Sequence, residues 1–153
     1  MKIIDLHRCD RGTQIAEFAL VLPLLLFISL GIIEGSSFIR VHQIINNAAR
    51  EGARLSSLPE NAPSTVVPDP TPQIKDAVVA YAQKNGVTLS QADITIEQNK
   101  TITTSAATTY KASQVVVTYG YPIQWLSNLR PWFNVPATVN LTATAEFANF
   151  YAL

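Results

Sequence analysis

TQIAEFALVLPLLLFISLGII, residues 13–33, carries a single charge, Glu17, in 21 positions. A helix of that length rises roughly 31 Å at 1.5 Å per residue, about the thickness of a bilayer's hydrocarbon core. So apolar a run is costly to leave in water and too long for an ordinary buried helix in a chain of 153 residues. The segment is read as a membrane helix, with the remaining chain on the far side.

Once the segment is set aside, the length leaves room for one small folded domain. Eleven Lys and Arg balance eleven Asp and Glu, scattered along the chain, so nothing marks a nucleic-acid surface. Charged residues make up only 14%, which fits a protein partly embedded in lipid or among neighbouring subunits. The one cysteine, Cys9, excludes an intramolecular disulfide and a cysteine-based zinc site. His7 and His42 lie on opposite sides of the apolar run, which argues against a histidine metal site or triad. With no Gly-rich phosphate loop and no carboxylate pair at a readable spacing, the expectation is a non-enzyme without cofactor, metal or small-molecule substrate.

Three ordinary readings compete for the N-terminus. A secretory signal peptide has a shorter apolar region followed by a small-x-small site. This run is longer and continues into Glu34-Gly35-Ser36-Ser37-Phe38 without one. Leu6-His7-Arg8-Cys9 imitates a lipoprotein box but precedes the apolar run instead of following it. The third reading is a simple uncleaved anchor.

Two details argue for something more. The hydrophilic leader MKIIDLHRCDRG ends in Gly12, and Glu17 follows five residues later. A carboxylate at the start of a membrane helix is expensive unless it finds a cation or stays at the interface. Cleavage after Gly12 creates an ammonium group at Thr13, which on this or a neighbouring copy is a natural partner for Glu17. A helix N-terminus also favours negative charge by about 0.3–1 kcal/mol. The plainer alternative is that Glu17 snorkels to the headgroups.

Gly12 followed by Glu17 inside an apolar helix resembles the processing site of type IV pilin-like proteins. The string RGTQIAEFALVLPLLL, from Arg11 to Leu26, is similar to the start of the TadE-like family of minor pseudopilins. The later Ala48-Ala49-Arg50-Glu51-Gly52-Ala53-Arg54 resembles that family's second, helical signature. The resemblance implies a leader, residues 1–12, removed between Gly12 and Thr13 by a prepilin peptidase. It also implies a role for Glu17 in registering the subunit against other pilins or pseudopilins. The implied function is assembly of tight-adherence (Flp-type) pili, for attachment and biofilm formation, with the assembly platform and the bilayer as further partners. Lys2, Arg8 and Arg11 before the apolar run, against Arg40 and Arg50 after it, give a small positive-inside bias. A bacterial inner-membrane span with a cytoplasmic N-terminus agrees with both arguments. The alternative is an uncleaved single-span protein with an extracytoplasmic binding or sensing head.

Beyond the membrane segment, Val41, Ile44, Ile45, Ala48 and Gly52 form one stripe, with Arg50, Glu51 and Arg54 elsewhere on the surface. One helix is therefore expected over 13–57, kinked at Pro23, which lacks a backbone donor. Gly31 and Gly35 make a GxxxG pair suited to close helix approach. Residues 58–72 hold five prolines in fifteen positions, an extended linker. Thr71-Pro72 reads as the N-cap and first-turn proline of a second helix, with Ile74, Ala77, Val78, Tyr81 and Ala82 inward and Gly86 ending it.

Alternating or β-branched runs at 93–97, 114–121 and 139–147 predict three strands. The expected fold is therefore α+β: a long N-terminal helix and one further helix packed on a small antiparallel sheet, with the head over 73–153. Residues 101–113 are expected to form an exposed hairpin loop. Trp125, Leu129, Trp132 and Phe133, between two strands, either lid the core or form a contact patch.

Overall fold

A computed structural model of the chain describes residues 10–63, 70–103, 109–124 and 136–149. The first element, helix α1, is Asp10–Ser56, 47 residues without interruption at Pro23. It begins three residues before Thr13, so the Gly12–Thr13 junction lies inside the helix. A 3-10 turn, Pro59–Asn61, follows, and helix α2 is Thr71–Lys84. Strands β1 (Ile94–Thr103), β2 (Thr109–Pro122) and β3 (Thr138–Ala148) form one antiparallel meander in the order β1-β2-β3.

Both helices lie on the same face of the sheet, and the core is the layer between them. Ile45, Ala48, Ala49 and Ala53 of α1 meet Val78 and Ala82 of α2 over Ile94, Val115, Val117, Leu141, Ala143 and Ala145 of the strands. The period-2 pattern explains the sheet: Leu141, Ala143 and Ala145 are buried while Asn140, Thr142, Thr144 and Glu146 are exposed. On the outer face Lys100 bonds to Gln114 at 2.6 Å and lies 3.7 Å from Glu146. The arrangement is the expected α+β one.

Two local readings change. Thr71 is the first helical residue, and Pro70, which offers no side-chain cap, precedes it. The expected loop at 101–113 is mostly strand, because β1 continues to Thr103 and β2 begins at Thr109, with Lys100↔Ala112 through Thr103↔Thr109 paired. Thr and Ser suit a pleated, half-exposed surface, and the pairing partner decides their state more than their polarity does. Inside β1 a bulge between Glu97 and Lys100 shifts the register, and Asn99 there takes φ 61°, a left-handed conformation that Asn tolerates.

Gly86 ends α2 at φ 85°. The Val87 amide donates to the Ala82 carbonyl and the Gly86 amide to the Gln83 carbonyl, both at 3.0 Å, which is a Schellman closure.

Candidate assembly surface

Helix α1 divides at Glu34. From Gly12 to Ser29 every side chain is exposed, and Leu20 and Ile15 reach 80% and 71%. The helix is long and apolar enough to cross a membrane. Soluble monomers rarely expose contiguous apolar patches beyond a few hundred Å². This surface therefore needs lipid or other helices around it. Its polar groups are few: Ser29 donates to the Leu25 carbonyl one turn back at 2.8 Å, which keeps its hydroxyl satisfied in an apolar setting. Among the described residues, and apart from their own helix turn, Gly31 and Gly35 have no atom within 4 Å of where a Cβ would stand, so a close approach there is open to another chain.

Glu17 is exposed, two turns into α1. The favourable field of a helix N-terminus fades within its first turn. With the helix beginning at Asp10, Glu17 lies beyond that reach; with a chain beginning at Thr13 it would be the fifth residue.

The head begins at the next turn. Glu34 is buried, its Oε1 accepting the Tyr121 hydroxyl at 2.9 Å and the Gln124 amide at 3.4 Å. Phe38, one turn on, meets the Tyr121 ring edge-on at 5.5 Å and 86°. Burial, reinforced by the bond to Glu34, raises the Tyr121 pKa above the ordinary phenol value. Sequence reasoning missed this contact. Its partners stand 87 positions apart, and no periodicity links them.

The second motif has two faces. Ala48, Ala49, Gly52 and Ala53 point into the core, while Arg50 and Arg54 face outward. At Gly52 a Cβ would come within 2.5 Å of Val78 Cγ2 and 3.3 Å of Val115 Cγ1, so the small residues let α1 sit directly on α2 and β2. Arg54 donates twice to Glu51, at 2.7 and 3.0 Å, and this hydrogen bonding lowers the Glu51 pKa.

The end of α1 is closed by a buried polar network. The Ser113 hydroxyl lies 2.7 Å from Asn149 Oδ1 and 3.2 Å from the Ser56 carbonyl, and its one proton serves either. Gln98 donates to Ser56 Oγ at 3.1 Å and to the Asn61 carbonyl at 2.9 Å, and Asn61 donates to the Leu55 carbonyl. Asn149 in turn donates to Asn99 at the bulge, which holds its left-handed backbone. These bonds satisfy carbonyls that every helix leaves open at its C-terminus. Among the described residues no buried side-chain polar atom lacks a partner.

Helix α1 thus joins a bare, apolar first half to a second half that carries a small-residue stripe. Residues 12–54 match the TadE-like protein family. The match covers 43 of the 153 residues, all on α1, and associates the chain with pilus systems of the Tad/Flp type. The TadE-like segment thus includes Gly12, Thr13, Glu17, Pro23 and the Arg50-Glu51-Gly52-Ala53-Arg54 run, and it stops two residues before α1 does. Neither a curated protein nor a solved structure matches the chain significantly. Trp125, Leu129, Trp132 and Phe133 lie outside the described residues. Among the described residues, no group of three His, Cys, Asp or Glu is placed to hold a metal ion.

Proposed function

We propose that the chain is a minor pseudopilin of tight-adherence (Flp/type IVc) pili, held by α1 in the bacterial inner membrane with its head outside the cytoplasm. Prepilin peptidase removes residues 1–12 by cutting between Gly12 and Thr13. The mature subunit then associates with other pilins or pseudopilins and the assembly platform, and takes part in surface attachment and biofilm formation. One observation carries this reading: the TadE-like match coincides with a helix bare over its first half, a surface that only lipid or neighbouring helices satisfy. Glu17 acts in register-setting, since its carboxylate is exposed in an otherwise apolar stretch and cleavage supplies a Thr13 ammonium as its cation. Gly31 and Gly35 provide the close-approach point for a neighbouring helix.

The second reading, an uncleaved single-span protein with a binding or sensing head, is favoured by the continuity of α1 through Gly12 and Thr13. Intact mass and N-terminal sequencing of protein extracted from membranes of cells with active prepilin peptidase separate the two. A mature start at Thr13 supports the pseudopilin; a chain that retains residues 1–12 in such cells overturns it.

A further inference from the structure

A basic groove of about 480 Å³ opens where the C-terminal end of α2 rests against α1. Arg40, Gln43 and Asn47 line it from one helix, and Tyr81, Lys84 and Asn85 from the other. Among the described residues that line it, none is acidic. Among the described residues the ion pairs are Arg54–Glu51 and Lys100–Glu146, so neither Arg40 nor Lys84 is neutralised by a carboxylate. Two cations with neighbouring amide groups form a site for a phosphate rather than for an apolar or cationic ligand.

The groove runs along α1 from Arg40 to Asn47, and its Arg40 end, the one nearer the apolar run, points to the source of that phosphate. Arg40 lies seven residues past Ile33, about 10 Å along the helix. Headgroups occupy roughly the first 5–8 Å beyond the hydrocarbon core, and a long cationic side chain reaches back into them. A smaller depression carries the groove toward the membrane past Ser37 and Val41, sharing Arg40 and Asn85. Ile39, beside Arg40 on α1, is 58% exposed, an apolar residue next to a cation as at other lipid interfaces.

We propose that the Arg40–Lys84 groove binds the phosphate of an anionic phospholipid headgroup in the outer leaflet, fixing the tilt of the head on the membrane. This rests on α1 being a membrane span. Two cations at an anionic surface are expected to favour such a lipid by on the order of tenfold or more.

The test reconstitutes the full chain in vesicles of mixed phosphatidylcholine and phosphatidylglycerol and counts retained lipids by native mass spectrometry. Wild type should retain phosphatidylglycerol over phosphatidylcholine by about tenfold. The exposed double variant Arg40→Gln/Lys84→Gln should lose that preference, while Lys100→Gln/Lys111→Gln on the sheet should keep it. Equal retention of both lipids by wild type, or a preference surviving in the Arg40/Lys84 variant, overturns the groove. Displacement of the lipid by millimolar inorganic phosphate also overturns it, in favour of a free-anion site. Alkaline extraction separates the two claims. A wild type stripped from the vesicles defeats the membrane span and the groove together, whereas an inserted chain with no lipid preference defeats the groove alone.

Discussion

The Tyr121 hydroxyl donates to Glu34 Oε1 across 2.9 Å, tying the end of β2 to α1 at the residue that follows the apolar run. The bond adds a polar tie between α1 and the sheet at the end of the helix's apolar run. Glu34 is buried, and the bonds from Tyr121 and the Gln124 amide help to offset its desolvation.

Tyr121→Phe keeps the ring against Phe38 and removes the donor. Leaving a buried acceptor under-satisfied costs about 1–3 kcal/mol, which denaturant unfolding of the detergent-solubilised full chain will read. The pH dependence has a fixed sign. The folded Tyr121 pKa is raised, so its contribution is complete below the ordinary phenol pKa of about 10 and is lost as pH rises through the folded value. The variant should lack that alkaline loss; an unchanged alkaline profile would assign it to other groups.

Gly52→Ala sets two effects against each other. Alanine favours a helix interior by about 0.5–1 kcal/mol over glycine. The new methyl meets Val78 Cγ2 at 2.5 Å in a fully buried site, and overpacking of this kind costs about 1–3 kcal/mol. Net destabilisation is expected, with partial recovery in Gly52→Ala/Val78→Ala, the two sites being in contact. Gly31→Ala, with open space around it, should leave head stability unchanged. Equal effects at both glycines would mean that the close approach at Gly52 does not matter.

Ser113→Ala deprives Asn149 and the Ser56 carbonyl of a shared donor. A loss of about 1–3 kcal/mol is expected, along with faster amide exchange around the bulge at Asn99, since Asn149 anchors both. A variant as stable as wild type would show that water replaces the hydroxyl.

Glu17→Ala should insert into membranes as wild type does and fail to enter pili, scored by co-purification with sheared filaments. The change touches no packing contact of the head, because α1 is bare there. Normal incorporation would remove the registering role proposed for the carboxylate.

Glu51 and Arg54 illustrate how far periodicity reaches. Their outward placement follows from helical phase alone, as does the inward placement of Ile45 and Ala48. The turn at Gly86 was equally readable, since only the local backbone had to be satisfied there. Strand ends were not. Whether Thr101 and Lys111 belong to a loop or a ladder depends on their pairing with each other, and each sequence taken alone permits both.

By itself the sequence determined an apolar helix long enough to span a bilayer, the motif at its start, the small-residue stripe further along and the α+β character of the head. Each of these is set by neighbours within a few turns of the same chain. Only the tertiary structure decided that Glu34 is buried under Tyr121, that Ser56, Ser113 and Asn149 share one network, and that Arg40 stands opposite Lys84. Those relationships join side chains from separate elements. Which polar groups meet depends on how closely the helices sit on the sheet, a distance set at Gly52 by van der Waals contact rather than by any local pattern.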